Sequence, residues 1–182
     1  MMRRSRAFTL IELLLVVAVI ALVVSLVGPS MRDLLATQRV QAVNAELVTD
    51  LQFARSEAVR RNVDVRIRFG SSASMTCYTI HIQGTVGSCN CALTPGSACT
   101  GLEELRTVQV PLNTDVRVRT PTGQTVVVEF DSAAGIIGGS AEFRAEVIGE
   151  RRGQLRTTVG LSGRPTVCSP DGSIRQVPQC SS

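Results

Sequence analysis

No charged residue interrupts the chain from Leu13 to Met31, and a single carboxylate, Glu12, stands at the start of that apolar run. A stretch of this length can cross a hydrocarbon core of about 30 Å as a helix. Arg3, Arg4 and Arg6 precede it, and the next arginine, Arg32, comes only after it. That asymmetry holds the N-terminus in the cytoplasm by the positive-inside rule. From Met31 to Asn62 the pattern becomes amphipathic. Val40, Val43, Leu47, Leu51, Ala54 and Ala58 recur at spacings of three and four, with Arg39, Glu46, Asp50, Arg55 and Arg60 at other positions. Both stretches are expected to be helical. Gly28-Pro29 separates them, and the proline should kink or locally melt the helix by removing the bond to Ser25.

After Asn62 the period changes to two. Val63, Val65, Ile67 and Phe69 alternate with Asp64, Arg66 and Arg68, the signature of a half-buried strand. The same alternation returns in Tyr78-Ile80-Ile82, Val116-Val118, Val126-Val128-Phe130, Phe143-Ala145-Val147 and Leu155-Thr157-Val159-Leu161. The segment from Gly149 to Gly153 reads as the turn of a hairpin between the last two. Serine, glycine, threonine and cysteine crowd Ser71 to Thr100, which predicts a loop-rich insertion. The fold class is therefore α+β: a long N-terminal helix whose distal half packs on an antiparallel sheet.

Composition and charge narrow the partners. The formal charge is +4 over 182 residues, and every basic side chain except the one histidine is arginine. Removal of Arg3, Arg4 and Arg6 with a leader would bring it to about +1, so the exported part is no polycation.

The segment Arg4-Ser5-Arg6-Ala7-Phe8-Thr9-Leu10-Ile11-Glu12 resembles the class III leader of type IV pilins and type II secretion pseudopilins. The resemblance implies that a prepilin peptidase cuts between Ala7 and Phe8 and methylates the new amine of Phe8. Glycine usually stands where this chain has Ala7, and alanine is the mildest replacement for a small-residue pocket. It also implies that Glu12 meets the N-terminal amine of an adjacent subunit and sets register during assembly. A carboxylate at membrane depth is disfavoured by about 2.5–3.5 kcal/mol on insertion scales and so asks for such a partner. Pro29 falls where pilins carry a proline. The stretch Ala54-Arg55-Ser56-Glu57-Ala58, ending a helix before a strand, looks like the GspH/FimT branch of that family. The expected organisation is a leader over 1–7, a transmembrane helix over 8–28, an amphipathic half over 29–62, and a pilin-like β-rich domain over 63–182 with the Cys-rich insertion at 71–100.

Six cysteines, Cys77, Cys89, Cys91, Cys99, Cys168 and Cys180, all follow the apolar run. An even count in an oxidising compartment argues for disulfides, while the connectivity stays open. A local Cys168–Cys180 bridge, with the other four stapling the insertion, is the expected arrangement. Zinc on the first four cysteines is disfavoured because no C-x-x-C pair is present. No cofactor or metal is expected. His81, the one histidine, lies on the polar phase of a strand, where surface placement is expected. Phosphate loops, nucleophile elbows and spaced carboxylate pairs are missing, which argues against an enzyme.

Two roles follow from the resemblance. One is a minor pilin of a type IV pilus, held in the inner membrane with its C-terminal domain in the periplasm and then drawn into a filament. The other is the H-type minor pseudopilin of type II secretion. The partners implied are other pilins or pseudopilins through the N-terminal helix, the prepilin peptidase and the inner membrane. Leu161-Ser162-Gly163-Arg164-Pro165-Thr166 resembles the end of FimT-like pilins, where a G-R-x-R motif contacts DNA; Thr166 stands where the second arginine would be. Ala141 to Ser182 holds six arginines against four acids. Arg164 and Arg175 are thus the candidates for contact with double-stranded DNA. So few charges imply weak, sequence-blind and salt-sensitive binding, with no aromatic near Arg164 to stack bases.

Overall fold

The computed structural model describes residues 9–120, 127–135, 137–138, 142–151 and 153–181, with the side chains of 26–30 left outside that description. Helix α1 spans Leu10–Arg61, and the chain divides into two compact units at Leu35 and Ala36.

In the first unit, Thr9 opens the helix. Its Oγ1 accepts the Glu12 N–H at 3.3 Å, which satisfies one of the free donors of the first turn. The large apolar side chains from Leu10 to Val24 are all exposed within the single chain. Among the described residues no helix is long and apolar enough to cross a membrane, and the described side chains of this run stop at Ser25. The helical path continues through Gly28 and Pro29, so the local melting anticipated there does not occur. A proline removes one hydrogen bond, and the turns on either side keep their own.

In the second unit, α1 carries its stripe into a core shared with two sheets. Val40, Leu47, Leu51, Ala54 and Ala58 are completely buried, and Val43 is partly so. The helix stops at Asn62, which takes the left-handed conformation at φ 53°. Asn62 N–H donates to the Val59 carbonyl and Val63 N–H to the Ala58 carbonyl, so the last turn closes on itself.

The first sheet runs in the order β5-β2-β1-β7, all neighbours antiparallel: β1 is Val65–Ser71, β2 Met75–Ile82, β5 Glu104–Pro111 and β7 Val127–Phe130. The second runs β10-β9-β8-β6, with β6 Val116–Arg119, β8 Phe143–Gly149, β9 Gln154–Val159 and β10 Pro165–Cys168. Gly149 N–H donates to the Gly153 carbonyl at 2.9 Å, closing the β8–β9 hairpin. The short strands β3 (Ser88–Cys89) and β4 (Cys99–Thr100) pair within the insertion. The helix touches both sheets. Thr157 of β9 donates to Asn44 Oδ1 at 2.9 Å, and Tyr78 of β2 donates to Asp50 at 2.8 Å.

Three placements differ from the sequence reading. Asp50 falls off the apolar stripe in the sequence pattern, yet it is 1 % exposed, and Glu57 near the helix end is 7 % exposed. Asp50 lies three residues after Leu47 and four before Ala54, on the buried stripe itself. His81 is buried rather than on the surface. Strand β2 lies between β5 and β1 and is buried on both faces from Thr76 to His81, so its polar phase is covered as well, and the His81 Nδ1 lies 3.1 Å from the Ile82 carbonyl. The desolvation lowers its pKa from the ordinary histidine value. The strand expected at Tyr78-Ile80-Ile82 begins earlier, at Met75, inside the segment read as a loop-rich insertion.

Candidate functional site

The N-terminal segment offers an unpartnered apolar helix with one carboxylate. Glu12 is exposed in the first turn. Negative charge at that end of a helix is favoured by the macrodipole. Ala7 and Phe8 lie outside the described residues, as do Arg3, Arg4 and Arg6. Pro29 falls inside α1, with its side chain outside the description.

The segment Ala54-Arg55-Ser56-Glu57-Ala58 does a different job at each position. Ala54 and Ala58 are small and completely buried, which lets strands approach the helix closely. Arg55 Nε donates to the Gly135 carbonyl at 2.8 Å. Ser56 Oγ bonds back to the Phe53 carbonyl. Glu57 accepts from Arg60 at 2.7 and 2.9 Å and from Arg61 at 2.6 Å, and Arg61 continues to Glu103. The Arg60 bonds, outweighing desolvation and joined by Arg61, hold the Glu57 carboxyl below its usual range. Ion pairs thus tie the helix end to the chain just before β5.

Between α1 and the first sheet lies a polar knot. Tyr78 Oη donates to Asp50 Oδ2, Arg106 Nε lies 3.2 Å from the same oxygen, and Arg106 Nη2 reaches Glu46 Oε1 at 2.7 Å. Burial raises the Asp50 carboxyl despite the bonds from Tyr78 and Arg106. Burial, together with the nearby Asp50 charge, pushes the Tyr78 phenol far up. The knot is satisfied on all sides, and no described buried side-chain polar atom lacks a partner. Its geometry fixes the rotation of the helix on the sheet rather than presenting a reactive group.

The six cysteines pair as Cys77–Cys91, Cys89–Cys99 and Cys168–Cys180. Cys77 sits on β2, so its bridge pins the insertion against the sheet. Glu104 organises the same loop from β5. Its carboxylate accepts from Gly96 N–H, Ala98 N–H and the Thr107 hydroxyl at 2.6–2.8 Å. Desolvation opposes ionisation, and these donors outweigh it, leaving the Glu104 pKa lowered. Among the described residues no cluster of His, Cys, Asp or Glu could hold a metal ion.

Arg164 is exposed in the turn between β9 and β10, and Arg175 is exposed inside the loop closed by Cys168–Cys180. The glycine before Arg164 has a steric reason. Gly163 takes φ +71°, and a Cβ there would stand 2.2 Å from the Gly135 carbonyl oxygen and 3.1 Å from Arg55 Nε. The structural residues that sequence reasoning missed are Asp50, Glu104 and the Arg55–Gly135–Gly163 contact. Helical spacing could have flagged the first; the Glu104 contacts are local but leave no periodic signal, and the third joins segments distant in the chain.

Two family models match this chain. Residues 44–164 match Type II transport protein GspH, and residues 2–28 match the prokaryotic N-terminal methylation motif. No curated protein sequence matches significantly. Among solved structures, the fold resembles the type IV minor pilin FimU of Pseudomonas aeruginosa in two crystal forms. The TM-scores are 0.54 and 0.50, each at 17% identity, covering 71% and 70% of this chain and 88% and 90% of that one.

Proposed function

The chain belongs to the GspH family, within the GspH/FimT branch of the pilin and pseudopilin superfamily, and from that membership we propose that it is a minor pilin of a type IV pilus. The family consists of structural filament subunits rather than enzymes. In this reading the segment 8–28 anchors the chain in the inner membrane with the domain in the periplasm. The prepilin peptidase frees Phe8 by cutting after Ala7, and the subunit then leaves the bilayer for a filament. Glu12, exposed at the start of an unpartnered apolar helix, pairs with the methylated amine of a neighbouring subunit.

The observation that carries this reading is the presence on one chain of both matches, the methylation motif at 2–28 and the GspH domain at 44–164. The likeness to FimU supports the pilin fold. The family description, a type II transport protein, favours a second reading in which the chain is the H-type pseudopilin of a secretion fibre. Deleting the gene and scoring both surface pili and secreted proteins separates the two. Loss of pili with normal secretion supports the first, and the reverse supports the second.

DNA contact would rest on Arg164 and Arg175. Two guanidinium groups give a shallow salt dependence and weak affinity. Such contact would let the pilus aid DNA uptake; titration of the full chain in detergent with duplex DNA at two salt concentrations tests it, and absence of binding at low salt removes both the contact and the uptake role.

A further inference from the structure

Most arginines on the two sheets end on carboxylates. Arg66 meets Glu129, Arg106 meets Glu46 and Asp50, Arg117 meets Glu150, Arg144 meets Glu142, and both Arg119 and Arg156 meet Glu146. Arg68 is the exception among the described sheet residues. It is half-buried on β1, opposite Thr79 of β2 and Val127 of β7, and no carboxylate of the described residues pairs with it.

Arg68 lines a cavity of about 340 Å³ together with Ser71, Ser88 and Asn90, and no acidic residue takes part in the lining. Asn90 is oriented by its own turn: its Oδ1 accepts the Ala92 N–H at 3.0 Å, which leaves the side-chain NH2 without a described acceptor. The hydroxyls of Ser71 and Ser88 likewise have no described partner. The lining therefore includes a guanidinium, an amide NH2 and serine hydroxyls, groups able to donate, with no acidic residue among them, and Ser71, Ser88 and Asn90 are open to solvent.

The far wall is rigid. Cys91 is bridged to Cys77 on β2, Cys89 is bridged to Cys99, and Asn90 N–H donates to the Ala98 carbonyl at 2.8 Å. Gln109 of β5 donates to the carbonyls of Cys91 and Leu93, both at 2.8 Å. At Gly70 the loop lies so close to β1 that a Cβ would stand 3.0 Å from Cys91 Sγ. Donors held by such a frame are oriented before any ligand arrives, which lowers the entropy lost on binding.

We propose that this cavity is a binding site for an oxyanion, a carboxylate or phosphate group, with Arg68 supplying charge and Asn90 orientation. Guanidinium forks match both groups geometrically. The volume is at the small end of ligand pockets, which fits a compact anion or the tip of an acidic group.

The test follows the Arg68 Nε–H and the Asn90 side-chain amide of the isotope-labelled full chain in detergent micelles by NMR. Inorganic phosphate in one arm, and succinate in the other, is titrated against chloride at constant ionic strength. Saturable shifts at both residues are expected, and the arm that saturates at the lower concentration identifies the source chemistry. Asn90→Ala should weaken the binding about tenfold, and Arg68→Gln should abolish it, while Arg144→Gln, an exposed arginine already paired with Glu142, leaves it unchanged. Shifts that rise linearly without saturation in both arms overturn the site. So does binding that persists in Arg68→Gln, or, if that variant does not fold, binding that is unaltered in Asn90→Ala.

Discussion

Arg55 on the helix donates through Nε to the carbonyl of Gly135, 2.8 Å away and 80 positions further along the chain. Gly163 closes over the same point, where a side chain would overlap the Gly135 oxygen. A helix position, a loop before β8 and the β9–β10 turn thus meet at one backbone carbonyl. This assigns a structural reason to both an arginine and a glycine that the sequence marks through family resemblance.

Gly163→Ala should therefore destabilise the domain by about 2–3 kcal/mol, since it adds both a clash and left-handed strain. Arg164→Ala, one residue on and exposed, should change stability by less than about 0.5 kcal/mol. Urea denaturation of the two variants checks the contrast.

The Asp50–Tyr78 bond predicts a measurable pH signature. Because burial raises the Asp50 pKa in the folded state, the folded chain binds this proton more readily than the unfolded chain does. Its ionisation therefore weakens the fold above the raised pKa, and that penalty vanishes as pH falls toward 3.8. Asp50→Asn removes the titration, so the stability of the variant relative to wild type should decline between pH 7 and pH 4. Tyr78→Phe, which strips a donor from a buried carboxylate, should destabilise by about 1–3 kcal/mol at neutral pH.

Glu104 behaves in the opposite sense. Its lowered pKa means that its contribution is fully present above 4.5 and is lost as pH falls through the folded value. The protection factors for amide exchange at Gly96 and Ala98, which compare each rate with that of an unstructured chain at the same pH, should fall in that acid window. Glu104→Gln should raise their exchange about tenfold at neutral pH, since one carbonyl oxygen replaces two charged acceptors.

Breaking the Cys168–Cys180 bridge should loosen the C-terminal loop and reduce stability by about 3 kcal/mol on the chain-entropy model. The loop holds Ile174, which is 2 % exposed and part of the core. Thermal denaturation of the double variant Cys168→Ser/Cys180→Ser, compared with wild type, measures the effect.

Periodicity made much of this fold readable. The helical stripe through Val40, Leu47 and Leu51 and the alternation of β1, β8 and β9 are direct consequences of which side chains reach the core. Strand β5 was not legible, because it opens on Glu104 and alternates cleanly only over Val108–Val110 after a register shift opposite His81. Strand β10 is four residues long and carries one strong apolar residue, Val167. Asp50 looked like a surface acid because charge was weighed before helical phase. The Cys77–Cys91 pairing could not be read from spacing, since it joins a strand to a loop folded over it.

Whether this chain is an assembling filament subunit is tested most directly by mass spectrometry of the protein purified from its native membrane. The account predicts a mature polypeptide that begins at Phe8 and carries one added methyl group on its amine. An intact leader, or a start at any other residue, would contradict it.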